Sequence, residues 1–196
     1  MQEVSLNING AIVRIVLIGA PSEERWMEVK QRAFVTQVEL GKTGAKLDDG
    51  TMTPPTSEWK YRILKARHSP IRHLEYSFLL EGLPSWISVH LVRHVHAQPY
   101  VKSQRNDRQN KYDRTKAPQD APVDMIWDIN GEELMVIANK RLCGQASQET
   151  RMVVKAMCAL AEQHTPELEG LLVPMCVYQN GCNEMRPCGF WTRRNL

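Results

Sequence analysis

NGEELMVIANKRLCGQASQETR, residues Asn130 to Arg151, reads as one helix, a break at Gly144 and the start of a second helix. Asn130 followed three residues later by Glu133 has the form of a capping box, with Asn in place of Ser or Thr, so a helix opens here. Leu134, Ile137, Ala138, Arg141 and Leu142 fall on one face of it, and Gly144 stops it. Ser147 then caps a second helix with Val153, Met157, Leu160 and Ala161 as its apolar stripe, ending before Pro166. Each helix has one apolar side to bury, so a partner layer has to come from upstream.

Upstream, AIVRIVLI (Ala11 to Ile18) reads as a buried strand, β-branched and bounded by Gly10 and Gly19. LEYSFLLEGL (Leu74 to Leu83) reads as a second strand, broken by Gly82 and Pro84. Ser22 can cap a helix running from Glu23 toward Phe34, and Trp59 to Ala66 reads as a short helix. Residues 40 to 57, rich in Gly, Asp, Thr and Pro, read as a surface loop. Pro84 suits the first turn of a helix over roughly Ser85 to His94. Residues 97 to 124 are polar and irregular, with Pro99, Pro118 and Pro122 preventing regular helix. With no internal repeat and no linker, the reading is a single α+β domain over residues 1–196, an antiparallel sheet packed with helices.

The 196 residues are 42% apolar and 24% charged, the balance of a globular chain long enough to bury a core. No apolar run reaches the ~18 residues of a spanning helix, and the run from Ala11 to Ala20 lacks a signal-peptide layout. The expectation is a cytoplasmic protein without a membrane partner. The formal net charge of +3 is too small for bulk nucleic-acid binding. Its distribution is sharper. Between Val92 and Lys116 stand Arg93, Lys102, Arg105, Arg108, Lys111, Arg114 and Lys116 against only Asp107 and Asp113. That local surplus exceeds the chain's own, and a focused positive patch suits a small anionic ligand better than a polymer.

His90, Arg93 and His94 fall at i, i+3 and i+4 and share a helix face. Taken alone, three such residues are a solvated polar face. Their continuation into His96, Lys102, Ser103, Arg105 and Arg114 points instead to phosphate recognition, because a guanidinium gives paired, charge-assisted hydrogen bonds. Zinc at the histidines is disfavoured: the HExxH motif needs a glutamate where Leu91 stands, and adjacent arginine repels a cation.

Arg93-His94-Val95, then seven residues, then Ser103, resembles the RHRx7S signature of the flavin-dependent thymidylate synthases, the ThyX family. His68-Ser69-Pro70-Ile71-Arg72-His73 followed by LEYSFLLEGL resembles that family's segment and strand before the signature helix. Asn130 to Arg151 is similar to its helix pair. The resemblance runs from about residue 67 to the C-terminus. It implies a ThyX-like fold and conversion of dUMP to dTMP with FAD, NADPH and methylenetetrahydrofolate, in a homotetramer whose active sites lie between subunits. It implies dUMP contacts from His90, Arg93, Ser103, Gln104, Arg105, Arg114 and Arg141, with Arg141 the catalytic cation that polarises the uracil ring. For FAD it implies Ser69, Arg93, His94, Val95 and Asn130. The chain departs from the family pattern at several places. Val95 stands for the third signature arginine, Arg72 for a glutamate, Glu132 for a flavin-contacting arginine, Val136 for an asparagine and Val101 for a glutamate. A related activity on another pyrimidine nucleotide is the subsidiary reading.

The five cysteines all lie beyond residue 142, and an odd number without a signal argues against a disulfide framework. Cys176, Cys182 and Cys188 are spaced C-x5-C-x5-C in a loop-like tail. With Cys143 they can make a four-thiolate site for zinc or an iron–sulfur cluster. Free thiols, with Cys158 buried in its helix, are the plainer account. The rival from another class is a zinc-stabilised nucleic-acid-binding module, against which only Tyr100 and Tyr112 offer stacking in the basic stretch.

Overall fold

A computed structural model describes residues 2–36, 52–103, 113 and 116–194. A five-stranded sheet, antiparallel at every pairing, runs in the spatial order Gln2–Ile8, Ala11–Gly19, Glu75–Pro84, Pro122–Asn130 and Ala97–Val101. β1 (Gln2–Ile8) and β2 (Ala11–Gly19) form a hairpin closed by Asn9 and Gly10, both at positive φ (52° and 89°). An Asn-Gly pair adopts that conformation at little cost and matches the twist of the flanking strands. β3 is Glu75–Pro84, β4 Ala97–Val101 and β5 Pro122–Asn130.

The helices follow the caps. α1 (Glu23–Val35) starts at Ser22, whose hydroxyl accepts from the Arg25 N–H, and α2 (Ser57–Lys65) starts at Thr56 in the same way. α3 is Ser85–Leu91. α4 (Gly131–Arg141) is capped by Asn130, and α5 (Gln148–His164) by Ser147. α6 (Met175–Tyr178) and α7 (Phe190–Arg194) are single turns. None of the described helices is long and apolar enough to cross a membrane.

The core lies between the sheet and the α4–α5 layer. Tyr76, Phe78, Leu80, Met125 and Trp127 project from β3 and β5 against Leu134, Ile137, Val153, Met157 and Leu160. α4 is buried on most of its circumference, which is why its hydrophobic residues are not confined to one stripe. Its start is pinned: the Gly131 N–H donates to the Leu74 carbonyl (2.8 Å), and a Cβ at 131 would lie 2.9 Å from the Ile71 carbonyl oxygen.

The sequence reading is corrected at three elements. Residues 97–124 are not wholly irregular, since β4 and the start of β5 lie within them. Pro99 sits on an edge strand, where its missing N–H does no harm. The first strand, Gln2–Ile8, was not assigned, and the helix from Ser85 ends at Leu91 rather than His94.

Candidate active site

The end of α3 sets the geometry. After Leu91 the chain makes two tight turns, with His94 N–H donating to the Leu91 carbonyl (3.1 Å) and Ala97 N–H to the His94 carbonyl (3.2 Å). The turns carry the His94 ring inward, to 9% exposure, and leave Arg93 exposed. The last turn of α4 brings Arg141 to the same place. Its Nε donates to His94 Nε2 (3.0 Å) and its Nη2 to the His90 carbonyl (2.7 Å).

A guanidinium has donors only, so His94 Nε2 presents a lone pair and Nδ1 carries the hydrogen. That hydrogen points at Glu133 Oε1, 3.0 Å away and itself buried. Burial first, and then the Arg141 charge, hold the His94 pKa down to about 4. Burial likewise raises the Glu133 carboxyl. The result is a chain, Glu133 to neutral His94 to Arg141, that orients the arginine from behind. Asn130 caps α4 as read, but the Glu133 side chain serves His94 instead of completing the box.

Burial, then the Arg141 charge and then that of Arg93 lower the His90 pKa, and burial followed by the Arg93 charge lowers that of Arg141. Among the described residues no carboxylate pairs with Arg93 or Arg141. Both Nη1 hydrogens of Arg141 and one on Nη2 point to no described acceptor. Two guanidiniums near each other without a counter-ion favour an anion. His90 closes the arrangement from α3, its Nδ1 3.2 Å from Thr150 Oγ1 on α5 and its ring edge-on to Trp86.

On the other side of His94 a cavity of about 290 Å³ is lined by Arg72, His96, Asn130, Glu132, Glu133 and Val136. Arg72 and Glu132 form an ion pair here. Each stands where the family resemblance places the opposite charge, so the two departures compensate across space. Val95, 82% exposed, lies by the adjoining depression with His96 and Gln98. Ser69 is exposed at the start of a 3-10 turn, Ser69–His73. Asn130 spends its side-chain oxygen on the α4 cap and donates through Nδ2 to the His96 carbonyl (3.4 Å). The lining is mixed: one arginine paired with Glu132, one histidine, one amide, the Glu133 carboxyl and the apolar Val136.

The basic stretch divides. Lys102 is neutralised by Asp124 (3.0 Å) and Lys116 lies 3.6 Å from Asp113. Ser103 is half-buried just beyond β4. Gln104, Arg105, Arg108, Lys111 and Arg114 lie outside the described residues. Cys143, Cys176, Cys182 and Cys188 border one cavity, although no three metal-binding side chains among the described residues form a ready-made clamp. Sequence reasoning missed Glu133 as a site residue and the partnership of Arg72 with Glu132. The signal for the first was a glutamate at the third helical position whose usual partner is its own cap.

A family model described as thymidylate synthase complementing protein (Thy1) matches residues 112–167. Among solved structures, ThyX from Helicobacter pylori with FAD and dUMP superposes with a TM-score of 0.60 at 16% identity, over 81% of this chain and 98% of that one. A UMP/dUMP methylase, PolB from Streptomyces cacaoi, bound with 5-Br dUMP, gives 0.59 at 15% identity, over 81% and 94%. No curated protein matches in sequence. The fold is therefore that of the flavin-dependent thymidylate synthases. The resemblance read from the sequence is borne out in the fold and in the stretch that matches the family model, at low sequence identity.

Proposed function

We propose that this chain methylates C5 of the uracil ring of dUMP, giving dTMP, with methylenetetrahydrofolate as carbon donor, FAD as cofactor and NADPH as its reductant. The observation that carries the reading is Arg141, held by neutral His94 and the His90 carbonyl, with donors left over beside Arg93. The free edge of Arg141 donates to a uracil carbonyl oxygen and stabilises the enolate-like charge that makes C5 nucleophilic. Arg93, His90 and Ser103 contact the nucleotide, and Gln104, Arg105 and Arg114 belong to its phosphate end. Arg72, His96, Asn130 and the chain at Ser69 and Val95 would hold FAD, which when bound supplies the hydride. His94 then acts behind Arg141, since both its ring nitrogens are engaged within the chain.

Exposed Val95, Tyr100, Val101 and Ile126 lie on or beside the β4 edge of the sheet and support subunit association, in this reading the homotetramer with shared sites. A cytoplasmic setting, where NADPH and folate are supplied, goes with it. The fold likeness to a UMP/dUMP methylase favours one second reading, that the ribonucleotide UMP is the substrate. The ion pairs of Lys102 and Lys116 weigh against the nucleic-acid-binding module.

The test is to incubate the purified protein with FAD, NADPH, methylenetetrahydrofolate and either dUMP or UMP, and to identify the product by mass. Formation of dTMP from dUMP supports the proposal. Methylation of UMP alone moves the substrate to the second reading, and no methylation of either by FAD-loaded protein refutes both.

A further inference from the structure

The C-terminal segment beyond Pro174 poses a physical problem. From Met175 to Arg194 not one residue is buried, and its two helices are single turns. Its ties to the body include the Tyr178 ring under Arg67 (4.0 Å), the Tyr178 hydroxyl reaching the Lys65 carbonyl (3.5 Å) and the Gln145 amide on the Arg186 carbonyl (2.5 Å). About twenty residues, of which, glycines aside, only Met175, Val177, Trp191 and the cysteines are even half-buried, offset little of their conformational entropy by packing. Short segments of this kind are stapled by disulfides or metals.

The thiols are placed for the second solution. Cys143 follows the end of α4, Cys176 lies in α6, and Cys182 and Cys188 follow in the tail, yet all four line one cavity of about 180 Å³. All four are free and half-buried. Gly144 makes the approach possible, because a Cβ there would sit 2.7 Å from Cys188 Sγ.

We propose that Cys143, Cys176, Cys182 and Cys188 bind one zinc ion as a tetrathiolate and so clamp the C-terminal segment to the end of α4. As they stand, no three of the described metal-binding side chains are arranged to grip an ion, so binding draws the four thiols together from the walls of the cavity they share. Four thiolates suit zinc in tetrahedral geometry, closed to water and therefore structural. A zinc tetrathiolate carries two negative charges, and cations stand round it. Lys140 lines the cavity, Arg151 donates to the Gly144 carbonyl (3.2 Å) and Arg193 to the Cys188 carbonyl (3.3 Å), against Glu184 on the wall. Nearby cations favour thiolate over thiol. This inference is independent of the proposed methyl transfer.

The experiment is elemental analysis of the full chain purified without chelator, followed by exchange with cobalt(II) alone. Stoichiometric zinc is expected, with a thiolate-to-cobalt charge-transfer band and strong tetrahedral bands in the red after exchange. Cys158→Ser is expected to keep the metal, whereas Cys182→Ser and Cys188→Ser lose more than about tenfold in affinity. Should those two variants fail to fold, the cobalt spectrum of the unaltered chain decides. Stoichiometric iron with broad visible absorption would overturn zinc in favour of a cluster. Zinc and iron both far below stoichiometry, with no cobalt spectrum, would overturn the site.

Discussion

Arg141 Nε donates to His94 Nε2 across 3.0 Å, and that one bond fixes the tautomer of a buried histidine. With Nε2 committed as acceptor, Nδ1–H must meet Glu133. Three residues that the sequence separates by up to 47 positions thereby act as one support for a cation.

The support predicts a split between binding and turnover. Arg141→Lys removes both the Nε donor and the planar fork while keeping the charge. Nucleotide affinity is expected to hold within a few-fold while kcat falls by roughly 10²–10³. Steady-state kinetics and equilibrium dUMP binding check this, and an unchanged kcat would remove Arg141 from the chemistry.

Acid should loosen the same network. His94 has a folded-state pKa of about 4, below the ordinary value of 6.5, so the unfolded chain takes up its proton first. Stability from the neutral ring is fully present above pH 6.5 and declines as pH falls from there toward about 4, by at most about 1.4 kcal/mol per unit. Urea titrations of the chain and of His94→Gln at several pH values in that window measure it. The variant's curve should be flatter, and parallel curves would show that His94 does not titrate as described.

A glutamate at 133 is expected to matter for geometry more than for charge. Glu133→Gln still offers an oxygen to His94 Nδ1–H, so activity should survive to within about tenfold. Glu133→Leu strands that N–H in a buried place and should cost about 1–3 kcal/mol of stability. Thermal unfolding together with kcat distinguishes the two, and equal effects would make the hydrogen bond unimportant.

The Arg72–Glu132 pair invites a charge-swap test. Arg72→Glu alone sets two carboxylates together at the cavity and should weaken FAD binding. Adding Glu132→Arg to it restores the opposite pair and is expected to recover most of the loss. Additive losses in the double variant would show that the two positions do not act together.

Gly131→Ala tests how α4 is seated. The new Cβ would meet the Ile71 carbonyl at 2.9 Å, a backbone atom that cannot step aside. A loss of about 1–3 kcal/mol is expected in urea unfolding, against a gain at an unhindered helix position.

Three helices were legible because each carries its own start: Asn130, Ser147 and Ser22 cap as their side chains require, whereas the helix from Ser85 has no side-chain cap and ends earlier than its pattern suggests. β5 was hidden by chemistry rather than by a lack of pattern. Val123, Met125, Trp127 and Ile129 alternate inward, but Pro122, Asp124 and Asp128 gave the stretch the look of a loop. Arg141 was readable as a site residue only through family resemblance, since its spacing alone suits a helix C-terminus. Glu133 and the Arg72–Glu132 exchange depend on contacts between residues far apart in sequence, which no local pattern announces.

Release of tritium from C5-labelled dUMP by the FAD-loaded protein with NADPH and methylenetetrahydrofolate, run beside Arg141→Lys, tests whether that arginine drives the proposed methyl transfer. Release is expected to track dTMP formation and to be strongly slowed in the variant. Protein that binds dUMP and FAD yet releases no tritium, or an Arg141→Lys variant as fast as the parent chain, would contradict it.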